Sequence, residues 1–213
     1  MLELLIAGGW VMWPILACSA IALAIILERF WSLRSRAVLP PGLGKEVREW
    51  AAQHKLDPAH VEALRQNSPL GELLASALEV RHRPREVIKE RIEDVGRHVV
   101  HQLERFLNTL GTISGVAPLL GLLGTVIGMI KMFFGILEHG VGDVAQLAGG
   151  IGQALITTAA GLCVAIPALM FYRYFRGRVL EYVIEMEKQA IALLDTLDAG
   201  AVHHPATRKR SGG

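Results

Sequence analysis

Charge is missing from three long stretches of this 213-residue chain. No Asp, Glu, Lys or Arg occurs between Glu3 and Glu28, between Arg105 and Lys131, or between Asp143 and Arg173. Each stretch exceeds the roughly 20 apolar residues with which a helix crosses a ~30 Å hydrocarbon core. A helix on a soluble core turns one face to water and rarely runs so far without a charge. The absence excludes an ordinary soluble domain and predicts an all-α integral membrane protein with three transmembrane helices. Composition agrees, with 52% hydrophobic residues and a mean hydropathy of +0.37.

Other scarcities narrow the function. The two cysteines, Cys18 and Cys163, both fall inside apolar stretches, where a thiol acts as a small hydrophobe; neither a disulfide nor a metal site is expected. The eight histidines lie outside those stretches in no ligand-like spacing. No nucleophile is set beside a base and no phosphate-binding glycine loop follows a strand, so no catalytic residue and no enzyme are expected. A net charge of +2 gives no ground for a nucleic-acid partner. The first stretch has no basic n-region and no cleavage pattern, and reads as an uncleaved helix rather than a signal peptide. Most telling, no Asp, Glu or His occurs within any of the three. A proton path through a membrane normally needs a titratable group, so if these helices line one, the carboxylate must come from another polypeptide.

What is present sets the topology. Lys and Arg are frequent from Glu28 to Arg105 and from Arg173 onward, and absent around Leu137 to Ala145. The long loop and the tail are therefore expected on the cytoplasmic side, with the short hairpin at Glu138-His139-Gly140 opposite. The resulting organisation is a short periplasmic N-terminus (1–4), a first membrane helix (5–27) and a cytoplasmic helical loop (28–110). A second membrane helix (111–136), a periplasmic hairpin (137–146) and a third membrane helix (147–173) follow. A cytoplasmic helix (174–200) and a disordered tail (201–213) complete it. Within the loop, Asp57-Pro58 and Ser68-Pro69 each set a capping side chain before a proline at the first helical position. They predict short helices over Pro58–Gln66 and Pro69–Arg81, after one over Gly44–His54. Beyond Pro84, Ile88, Ile92, Val95, Val99, Leu103, Phe106 and Leu110 form one apolar stripe, on a helix expected to run straight into the second membrane segment. A like stripe, Val179, Val183, Met186, Ala190, Leu193 and Leu197, follows the third. These stripes pack either within one chain or between copies of it.

The second and third stretches are rich in small residues: Gly121, Gly124 and Gly128 with Pro118 in one, Gly161 and Ala165 with Pro167 in the other. Small residues three and four apart let helix backbones approach closely in lipid. The first stretch, rich in Leu, Ile and Ala, is the candidate for the lipid-facing helix. With the hairpin midpoint near Gly142, Thr125 and Thr158 lie at equal depth, ~25 Å along their helices. Thr157 is adjacent. Hydroxyls at one level can line a polar path, since each both donates and accepts; singly, a membrane threonine more often bonds its own helix backbone. Lys131 and Gln153 form a second matched level nearer the hairpin.

The stretch from Ala117-Pro118 through Gly121, Gly124-Thr125 and Gly128, together with that from Gly150 through Gln153, Thr157-Thr158, Gly161 and Pro167, resembles the ExbB/TolQ/MotA proton-channel family, ExbB members most. Glu28-Arg29-Phe30-Trp31 also fits. The resemblance implies a ring-forming homo-oligomer, typically a pentamer, in the inner membrane of Gram-negative bacteria. Such a ring encloses helices of an ExbD-like single-pass subunit that supplies an aspartate, and drives a TonB-like protein that energises import of siderophores and cobalamin. It implies no cofactor beyond protons as the coupling ion. Thr125 and Thr158 match the family's pore-lining threonines, with Thr157 and Gln153 beside them. Where many members carry a glutamate, this chain has Gln153, which leaves the partner's carboxylate as the relay. A TolQ-like stator for envelope integrity and a non-conducting membrane scaffold are the alternatives.

Overall fold

A computed structural model describes residues 8–53, 57–139 and 144–202. The N-terminal segment, the tip of the hairpin and the tail beyond Val202 lie outside the described residues. Eight helices occur among those described: α1 (Met12–Ser32), α2 (Ser35–Val38), α3 (Leu43–Ala52), α4 (Pro58–Asn67), α5 (Pro69–Glu79), α6 (Arg85–Leu103), α7 (Leu107–His139) and α8 (Val144–Val202). Three are long and apolar enough to cross a membrane, over Met12–Ser32, Leu107–Leu137 and Ala148–Ala199. The chain divides into two compact units, one of residues 1–31 and 106–176, the other of 32–105 and 177–213.

In the first unit, α1 begins at Met12, and the expected start at residue 5 lies outside the described residues. Gly9 holds a φ of +70°, outside the helical region, and Pro14 falls in the first turn, where its missing N–H is harmless. Ile15, Ala22, Ile25, Ile26 and Arg29 form its buried face, while Trp13, Leu23 and Leu27 point outward. At its far end Phe30 lies edge-on to Phe171 and Phe175, with ring centroids 5.5 and 5.1 Å apart. Pro118 and Pro167 sit inside unbroken helices, tolerated because neighbouring helices and hydroxyl side chains in membrane bundles satisfy the freed carbonyls.

The second unit is built as a soluble domain is. α5 is its core, with Leu70, Leu73, Leu74, Ala75, Ala77 and Leu78 all buried. The expected caps are in place: Asp57 Oδ1 accepts from Ala59 N at 3.3 Å and Ser68 Oγ from Gly71 N at 3.1 Å. The stripe of α8 from Val179 to Leu193 is covered within this unit, with Val179, Met186, Ala190 and Leu193 buried. Polar clasps hold the same helix. Tyr182 donates to the Leu33 carbonyl at 2.7 Å, Arg48 to Gln189 Oε1 at 2.7 Å, and Arg85 to Asp195 at 3.0 Å and to Asp198. Those two aspartates, Asp198 foremost, hold the Arg85 guanidinium pKa above its ordinary value.

One expectation fails. The stripe running from Ile88 to Leu110 does not lie on a single helix: α6 ends at Leu103 and α7 starts at Leu107. Phe106 adopts a φ of 62°, a left-handed conformation that interrupts the hydrogen-bond ladder and costs a non-glycine residue ~1–2 kcal/mol. The Arg29 guanidinium stands over its ring, 5.7 Å from the centroid. Periodicity alone cannot reveal such a break, because the apolar spacing carries across it.

Candidate functional site

The sequence-predicted residues collect where α7 meets α8 within the first unit. The glycines there bring backbone against backbone. A Cβ on Gly161 would stand 2.6 Å from the Ala117 carbonyl oxygen, one on Gly121 3.0 Å from the Thr157 oxygen and Thr158 Cα, and one on Gly128 2.8 Å from the Gly150 oxygen. Gly124 is the tightest, since its Cβ would fall 2.5 Å from Thr157 Cβ and overlap Thr157 Oγ1. Any larger residue there must displace the threonine. These contacts fix an antiparallel register in which Ala117 faces Gly161, and Gly124 faces Thr157.

That register places the four polar candidates differently from one another. Thr157 is fully buried, at 0% exposure, and its hydroxyl lies 3.0 Å from the carbonyl oxygens of both Gln153 and Ala154. Thr158 is half-buried and donates across the interface to the Gly121 carbonyl at 3.3 Å. Thr125 donates to its own helix at Leu122, 2.6 Å away. Thr158 therefore sits level with Gly121, about one helical turn from Thr125, instead of at equal depth. The hairpin midpoint estimated from the sequence was too far along the chain to give this register.

Nearer the hairpin, Lys131 Nζ lies 3.4 Å from Gln153 Oε1, so the second matched level forms a contact. The Gln153 amide nitrogen donates in turn to the Gly8 carbonyl at 3.3 Å. Gly9 lies directly against that nitrogen, where a Cβ would collide. Sequence reasoning missed this turn. Its signal was the Gly8-Gly9 pair at the head of an otherwise bulky apolar stretch. Arg29 was read as a topology marker and as part of the resemblance, with no packing role. It is buried at 4% exposure, donates to Glu28 Oε1 at 2.6 Å, and anchors the opposite end of the unit against Phe106.

Chemically, the arrangement offers hydroxyls, one amide and one ammonium, without an acid. Among the described residues no cluster of His, Cys, Asp and Glu could hold a metal ion.

Comparison with known proteins gives a concordant result. Residues 65–188 match the model of the MotA/TolQ/ExbB proton channel family. The putative biopolymer transport protein ExbB-like 1 of Synechocystis sp. is 35% identical over 176 residues, covering 81% of this chain and 69% of the relative. The ExbB-like 3 protein of the same organism is 31% identical over 86% of this chain and 88% of its own length. The biopolymer transport protein exbB1 of Vibrio cholerae is 33% identical over 76% of this chain and 72% of the relative.

Proposed function

The chain belongs to the MotA/TolQ/ExbB proton channel family, and on that premise we propose that it is the ring subunit of an inner-membrane motor driven by the proton-motive force. In this reading several copies, typically five in ExbB-like rings, surround a single-pass ExbD-like helix. A TonB-like protein carries the energy to outer-membrane import of siderophores and cobalamin. The long loop and C-terminal helix are cytoplasmic, and the α7–α8 hairpin is periplasmic.

The carrying observation is the pairing of interior hydroxyls with the lack of any carboxylate or imidazole in the three apolar stretches. Hydroxyls can both donate and accept along a path, but no carboxylate or imidazole in the three stretches can hold the proton. Thr158 and Thr125 are the proposed path residues. Thr158 bridges the two helices, so rotation of its hydroxyl away from Gly121 exposes both a donor and an acceptor. Thr157, sealed against Gly124, keeps the helices at the separation the path needs, and Gln153 is a hydrogen-bonding liner without a proton role. Ring formation is supported by Gly115, Gly149 and Gly152, which have no described residue within 4 Å of where a Cβ would stand. They leave faces that a neighbouring helix can approach closely. Each charge crossing releases ~2.3 kcal/mol per 100 mV, enough to bias a ring between closely spaced packing states.

The test is proton flux into liposomes holding the chain with and without its single-pass partner. Flux should require the partner, and Thr158→Val, which keeps the volume and removes the hydroxyl, should bring it to the level of empty vesicles with assembly intact. Flux from the chain alone, or undiminished flux from Thr158→Val, defeats the reading.

A further inference from the structure

We infer that the hairpin end of the membrane unit carries a seat for the phosphate of an anionic lipid, centred on the Lys131 ammonium. The inference goes beyond the proton path and shares only Gln153 with it. It starts from depth. At one end of the unit Arg29 is joined to Phe106; at the other Lys131, Gln153 and Gly8 are joined in a row. The helix between these polar levels measures about 30 Å from Gln153 to Arg173, and about 36 Å from Leu107 to Lys131, which a tilted helix takes up across a ~30 Å core. The row at Lys131 therefore marks the edge of the hydrocarbon. Trp10 and Trp13, 60% and 75% exposed, follow Gly9 at the same edge, where indoles concentrate in membrane proteins.

The row presents a charge that no side chain among the described residues compensates. Among the described residues no carboxylate pairs with Lys131, whose one contact is the neutral Gln153 amide oxygen. That amide is itself fixed from its other end by the Gly8 carbonyl and the glycine turn above it. An ammonium carries three donors, of which the amide takes one. The helix surface flanking it on one side is apolar and outward-facing, with Ile130 and Phe134 exposed. An occupant must offer an anionic head to the lysine and an apolar body to these side chains. A phospholipid does both, and a soluble phosphate ion does not.

The experiment is native mass spectrometry of the full chain released from nanodiscs of phosphatidylcholine with added phosphatidylglycerol. Wild type and Lys131→Arg should retain phosphatidylglycerol, and Lys131→Gln should retain about fivefold less, as expected for loss of one cation at a membrane surface. Equal retention by Lys131→Gln, or equal retention of phosphatidylcholine, overturns the inference. So does an adduct formed by inorganic phosphate added to pure phosphatidylcholine discs. Loss of a co-purifying membrane helix from Lys131→Gln with its lipid count unchanged would assign the lysine to a protein carboxylate instead, and would equally overturn it.

Discussion

The two units of this chain cohere by opposite means. In the membrane unit the decisive contacts are made where side chains are missing: Gly121, Gly124, Gly128 and Gly161 let α7 and α8 touch backbone to backbone. In the other unit they are made where side chains are large, with Leu70, Leu73, Leu74 and Leu78 filling a core closed by caps and ion pairs. The solvent explains the difference. Lipid gives helices no hydrophobic reason to associate, leaving close packing and hydrogen bonds. Water drives apolar side chains together at roughly 25 cal/mol per Å². Adding atoms should therefore break the first unit, and removing them should break the second.

The largest effect is expected from Gly124→Leu, whose side chain must enter the space of Thr157. Overpacking of this kind costs ~3 kcal/mol or more, and the readout is loss of folded protein in detergent with loss of proton flux. Gly124→Ala should be milder, and Thr157→Gly in the same chain, which removes the Cβ that the new methyl would meet, should relieve it; failure of that rescue would break the contact inferred here. Next comes Leu74→Ala in the second unit, expected to cost ~2–5 kcal/mol in a helical melting curve while leaving the α7–α8 interface untouched. Ser68→Ala removes one helix cap, for ~1 kcal/mol by the same melt. Smallest is Arg85→Ala, because the Arg85 clasp is exposed and screened by salt. Since the folded Arg85 pKa is raised, the clasp's contribution is complete at neutral pH and is lost only as pH climbs through the raised value. A melt of wild type against Arg85→Ala at low and high salt checks this, the difference shrinking as salt rises.

Much of this architecture was legible. Uncharged runs read as membrane helices because a buried charge is intolerable in hydrocarbon, and that signal needs no partner. Asp57-Pro58 and Ser68-Pro69 were equally readable, since a cap and a first-turn proline act within four residues. The glycine interface was legible as a tendency toward close approach. Its register was not: whether Thr158 sits level with Thr125 or with Gly121 depends on how two helices separated by a hairpin slide past each other. The break at Phe106 was hidden for a related reason. A left-handed phenylalanine has no local preference for that conformation, and what accompanies it is Arg29, distant in sequence. Gln153 shows the same limit. Its residue type announced that an amide in lipid needs partners, and only the folded chain names them as Lys131 and Gly8.

From sequence alone came the three crossings, the capped helices between them, and the want of any acid in the membrane. All three follow from composition and short-range spacing, because solvation and capping act locally. Tertiary structure alone decided which threonine is sealed and which bridges helices, where the stripe breaks, and that Lys131 meets Gln153. Those outcomes depend on contacts between segments far apart in the chain, and their energies exist only after the helices have met.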